Sequence, residues 1–122
     1  MELYRPVTQP EYELIEQKGF SGFPPRSEAQ PLLTMLLSCE GARQIAKHLY
    51  TPNGNDAVYV LGCMVDDAYI RQFPVQNVHE PERRALWIAA EETEIFNQHL
   101  IGKIHLMELF QPDPEERDIF FV

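Results

Sequence analysis

Arg5 makes the strongest chemical demand of any residue in the chain. It lies at the centre of Leu3-Tyr4-Arg5-Pro6-Val7, a short strand-like segment. The first strand of a small domain usually enters the core. A guanidinium stays charged there, so it needs an internal carboxylate, a water-filled cleft or an anionic ligand. Ser38 is the second such position, closing the apolar run Leu32-Leu33-Thr34-Met35-Leu36-Leu37 where a helix should begin. A cation ending one strand and a hydroxyl ending its neighbour could together hold a diphosphate and a ribose. The alternative is an Arg5 salt bridge inside the protein and a Ser38 that only caps its helix, a role in which serine leads. Arg26, after Phe23-Pro24-Pro25, either adds a second phosphate contact from a loop or lies in water.

Other chemistries lack their residues. The chain has no glycine loop of the P-loop or Rossmann type, no Cys-x-x-Cys and no His-Glu-x-x-His. His48, His79, His99 and His105 are spread over different segments, so no metal site is expected. Glu91, Glu92 and Glu94 crowd a helix start, where they favour the dipole on a solvated face rather than paired acid–base work. Cys39 and Cys63 are too few for a disulfide framework and read as small hydrophobes in a reducing cytoplasm. The net charge of −9, from 19 acidic and 10 basic residues, repels phosphate backbones and anionic membranes. A local basic cleft for a small phosphorylated ligand, or a basic protein partner, stays compatible with it. No apolar stretch approaches the roughly 20 residues of a membrane span. Met1-Glu2-Leu3-Tyr4 has no secretory pattern, and a cytoplasmic protein is expected.

The elements that must position these residues follow from pattern. Thr8 and Glu11 form a capping-box pair with Pro10 in the first turn, and Gly19 is placed to end that helix. The segment 20–27 is an irregular connector. Residues 31–37 read as a strand covered on both faces, and Ser38 starts a helix with Ala42, Ile45, Ala46 and Leu49 on one side. Residues 51–56 read as a turn, 57–65 as a strong strand with Gly62 at a bulge or close approach, and Asp66 as the cap of a short helix over 67–72. Short strands are expected at 75–78 and 85–88, a helix over 89–100 stopped by Gly102, and a last strand over 103–110. The expectation is one α+β domain over 1–110, with a mixed, mostly antiparallel sheet of about six strands and three to four helices. Residues 111–122 form an acidic, proline-bearing tail ending Ile119-Phe120-Phe121-Val122.

Seven segments, in this order, resemble a bacterial family of short hypothetical proteins that carries the label "ADP-ribosylation/crystallin". They are Leu3-Tyr4-Arg5-Pro6-Val7, Gly19-Phe20, Phe23-Pro24-Pro25-Arg26, Ala42-Arg43-Gln44-Ile45-Ala46, Phe73-Pro74-Val75-Gln76, Leu86-Trp87-Ile88 and Phe96-Asn97. The resemblance covers nearly all of residues 3 to 110, and the layout is similar to a minimal ADP-ribosyltransferase fold. In that fold a first-strand Arg or His contacts the phosphates or ribose of NAD. A Ser or Thr on a second strand precedes a helix, and a late strand brings a catalytic glutamate. The resemblance therefore implies NAD or ADP-ribose bound by Tyr4, Arg5, Arg26 and Ser38, with Tyr4 stacking on a ring and Arg5 holding phosphate. The glutamate belongs just before Leu86-Trp87-Ile88, where this chain has Ala85, and Glu80 and Glu82 lie nearby out of register. Without that carboxylate the transfer step loses its charge stabilisation.

A different class of function fits the charge. A −9 protein with an apolar Ile119–Val122 tail reads equally as an interaction module of the immunity-protein or antitoxin type, steered to a basic partner.

Overall fold

A computed structural model describes residues 1–28, 30–50 and 57–111. The chain runs β1 (Glu2–Thr8), α1 (Gln9–Gln17), β2 (Leu32–Leu36), α2 (Cys39–Leu49), β3 (Val58–Val65), α3 (Asp67–Ile70), β4 (Ala85–Ala89), α4 (Thr93–Gln98) and β5 (Leu100–Phe110). Two 3₁₀ turns, Pro81–Arg83 and Ala90–Glu92, flank β4. The five strands form one sheet in the order β4-β2-β1-β3-β5, with every pairing antiparallel. The class is the expected single α+β domain.

Strand alternation sorts the core onto two faces. Leu3, Val7, Leu33, Met35, Leu61, Cys63, Val65, Leu86 and Ile88 point to one face, against Ile15 of α1, Ile70 of α3 and Phe96 of α4. On the other face Leu36, Val58, Val60 and Ala85 meet α2 through Ala42 and Ala46. Small residues at these helix positions let α2 lie close to the sheet. Gly41 is required at its start, because an added Cβ would fall 1.7 Å from the Glu82 carbonyl oxygen.

Several expectations change. The sheet is antiparallel throughout rather than mixed. The sixth strand, over 75–78, is absent: only Gln76 bridges to Ala85, and Asn77 turns the chain with φ of 58° after Pro74 has interrupted it. The helix expected over 89–100 is shorter, because β4 runs to Ala89 and a 3₁₀ turn precedes α4, which ends at Gln98. Gly102 is no helix stop. It lies inside β5 at φ of 74°, in the stretch where the register against β3 slips between Gly62 and Met64. Gly62 borders that register shift, which meets the expected bulge, and the side chains of His105 and Met107 close over it. The 51–56 turn and the 112–122 part of the tail lie outside the described residues.

β1 is the central strand, and its two seams differ. All seven of its residues pair with β3, but only Tyr4 pairs with β2, at Leu36. Continuing the β2 register would set Pro6 opposite Thr34. Proline has no N–H to donate, so the ladder loses one hydrogen bond at that residue. β3 keeps the pairing, β2 diverges, and a groove opens between them.

Candidate functional site

The groove has a volume of about 780 Å³ and is lined from both faces of the sheet. Arg5, Glu11, Leu14 and Arg26 line it from the α1 side, and Leu36, Ile45 and Leu49 from the α2 side. The apolar stripe of α2 is therefore divided. Ala42 and Ala46 are buried against the sheet, while Ile45 and Leu49 face the groove. Leu14, Leu32 and Leu49 are among the exposed large hydrophobic residues and all three line it.

Its polar floor is an Arg5–Glu11–Arg26 cluster. Arg5 donates through Nε and Nη2 to the two carboxylate oxygens of Glu11 at 2.7 and 2.9 Å, a bidentate pair. Its Nη1 crosses the opening to the Thr34 carbonyl on β2 at 3.0 Å. Arg26 donates from Nη1 to Glu11 at 3.4 Å, and from Nε and Nη2 to the Pro24 carbonyl at 3.3 and 3.0 Å. The side chains of Arg5, Glu11 and Arg26 are only 12%, 13% and 3% exposed. Two guanidiniums against one carboxylate leave one net positive charge at the groove floor.

Titration follows from this arrangement. Burial pushes the Glu11 carboxyl up, but the hydrogen bond and charge of Arg5, joined by Arg26, outweigh it and hold the group below the ordinary carboxylate range. Burial lowers Arg26, with Glu11 opposing the shift and Arg5 adding to it. Glu11 is thus a fixed anion and is not free to act as a base. The capping box does not form as expected: Thr8 stands at the N-cap without a side-chain hydrogen bond, and the Glu11 carboxylate that would reach back to its N–H is committed to the two arginines.

Of the four residues proposed from sequence, the structure brings two together. Arg5 and Arg26 share Glu11 in the groove. Tyr4, adjacent to Arg5 on a strand, points to the opposite face and packs against the cluster under α2. Ser38 caps α2, its hydroxyl accepting from the Gly41 N–H at 3.2 Å, and it is not among the groove residues. Ala85 is buried under α2 beside Leu36, so its position faces core rather than ligand.

Sequence reasoning took Glu11 as a cap and passed over the leucines. Pro6 was the available signal, because a proline in the middle of a sheet removes one ladder hydrogen bond. Among the described residues no group of three or more His, Cys, Asp or Glu is placed to hold a metal ion. None of the described helices is long and apolar enough to cross a membrane. Both cysteines are free, and burial pushes the Cys63 thiol up to about 12. Comparison with protein-family models, with curated proteins and with solved structures finds no match for this chain.

Proposed function

We propose that this protein binds an anionic nucleotide of the NAD or ADP-ribose class in the groove between β1 and β2, and that it does so without transferring ADP-ribose. The observation that carries the reading is the net positive Arg5–Glu11–Arg26 cluster at the floor of an apolar-walled groove, in a chain of net charge −9. A volume of about 780 Å³ lies within the usual range for small-molecule sites. Fixed guanidiniums match phosphate oxygens, and each keeps N–H groups beyond those its present contacts use. The ADP-ribosyltransferase-like layout adds the ligand class through Arg5 and the segment around Arg26. Binding without transfer follows from the carboxylates: position 85 is a buried alanine, and Glu11 is already neutralised by two cations.

Calorimetric titration with NAD and ADP-ribose tests the reading, with Arg26→Gln checked for folding by its unfolding transition. Saturable binding that weakens about tenfold or more in Arg26→Gln is expected, since hydrogen bonds to charged groups contribute roughly 1.5–3 kcal/mol. No heat at millimolar ligand overturns it.

A second reading, as an acidic interaction module, is favoured by the edge strand β5. Ile101, Leu106, Met107 and Leu109 are exposed along it, where a protein partner could cover them. Association with a basic partner should weaken as salt rises and in Leu106→Ser. Indifference to both sinks this reading.

A further inference from the structure

The geometry points to a soft-metal site on the edge strand β5, in which a monovalent d10 cation, Cu(I) or its analogue Ag(I), is held between His105 Nε2 and Met107 Sδ. The site is separate from the groove and independent of the nucleotide reading. A Cβ added to Gly62 would lie 2.8 Å from His105 Nε2 and 3.1 Å from Met107 Sδ. The two donor atoms therefore converge above a glycine that has no side chain to hold them apart. They are at most about 6 Å from each other, and an ion in line between them spans about 4.3 Å, taking bonds of about 2.0 Å to imidazole nitrogen and about 2.3 Å to sulfur. Both side chains have room to close that gap, being 49% and 42% exposed.

The β3–β5 ladder explains the convergence. Val60 pairs with Glu108 but Leu61 with Leu106, so Met107 is the extra residue of a bulge. Bulges at sheet edges re-aim side chains, and this one brings the thioether over Gly62, the cross-strand partner of His105. Glycine inside a strand permits close approach, and what approaches here is a pair of donor side chains. Glu2 completes the surroundings, with Oε1 3.7 Å from the same Nε2, so a negative charge stands beside the cation. The donor types select the ion. Thioether with imidazole suits Cu(I), whereas Zn(II) takes imidazole, thiolate and carboxylate, and hard cations take oxygen. No three of His, Cys, Asp or Glu come together among the described residues, so a site on this face depends on the sulfur. The spacing of the four histidines carried no metal motif because the second donor is a methionine.

The full chain is titrated anaerobically with Cu(I) against a chromogenic Cu(I) chelator, and with Ag(I) while the methionine methyl NMR signals are followed. One equivalent of either ion should bind, and the Met107 methyl signal should shift with it. Met107→Leu and His105→Ala should each weaken Cu(I) binding about tenfold or more. Their unfolding transitions should match wild type, since both side chains are half exposed. Gly62→Ala should also weaken binding although both donors remain, because the new Cβ parts them. Equal Cu(I) affinity in wild type and Met107→Leu overturns the site. A loss in Cys39→Ser as large as that in Met107→Leu also overturns it, since the half-buried thiol at the start of α2 would then be the ligand. A chain that binds neither ion removes the site and leaves the groove reading as it stands.

Discussion

The central strand has a closed seam and an open one. Toward β3, residues Glu2 to Thr8 pair without interruption, and Leu61, Cys63 and Val65 of that neighbour are all buried. Toward β2, pairing stops after Tyr4, and the space is occupied by a guanidinium, its carboxylate and an apolar groove. The strand is the same on both sides. What differs is one missing N–H, at Pro6, and a neighbour able to take up the divergence. Mixed apolar and charged contacts can line a cleft only where the sheet does not claim the backbone, so the imperfect seam is where ligand chemistry becomes available.

The contrast can be broken most strongly at Arg5. Arg5→Ala leaves Glu11 buried beside the single longer contact to Arg26 and should cost about 3–5 kcal/mol, read by denaturant unfolding. Leu61→Ala on the closed seam should cost a similar amount, about 2–5 kcal/mol, by opening a cavity in the core. The two differ in ligand affinity. Arg5→Ala loses it, and Leu61→Ala keeps it wherever the protein is folded. Equal affinity in both variants would erase the distinction between the seams.

Glu11→Gln sharpens the comparison through pH. The native Glu11 carboxyl titrates below its unfolded value, so its contribution is complete above roughly pH 4.3 and is lost as the pH falls through the lowered native value. The variant should be less stable by about 1.5–3 kcal/mol at pH 7, and the gap to wild type should narrow in acid. A gap that does not change with pH would show that Glu11 contributes shape rather than charge.

Pro6→Val should have the smallest effect on stability, within about 1 kcal/mol, because the freedom returned to the unfolded chain is offset by a new strand donor. Its effect on the groove should be larger. Hydrogen exchange should show protection of the amide newly present at position 6 as the β1–β2 seam closes, and nucleotide affinity should fall. An unprotected amide at that position, with full affinity, would mean that something other than Pro6 holds the seam open.

Local order was readable where one residue's chemistry sufficed. Ser38 and Asp66 cap their helices through their own side chains, and the continuous apolar run in 58–65 is that of a buried strand. The site was harder to read, because its members come from β1, α1 and a loop, and their spacing along the chain carries no trace of that meeting. Tyr4 and Arg5 looked like one cluster in the sequence, yet neighbours on a strand face opposite ways. Glu11 looked like a cap and became a counter-ion, because a bidentate guanidinium competes better for a carboxylate than a backbone N–H does.

The sequence by itself determined the class of the fold, the apolar faces of β3 and α2, and the need of Arg5 for a polar partner or water, since periodicity and charge are local properties. Only the tertiary structure decided that the partner is Glu11, that Arg26 shares it, and that Ser38 stands apart. The physical reason lies in the sheet. Strand order and register set which side chains meet, and Pro6 acts on that register only once β2 and β3 have arrived on either side of it.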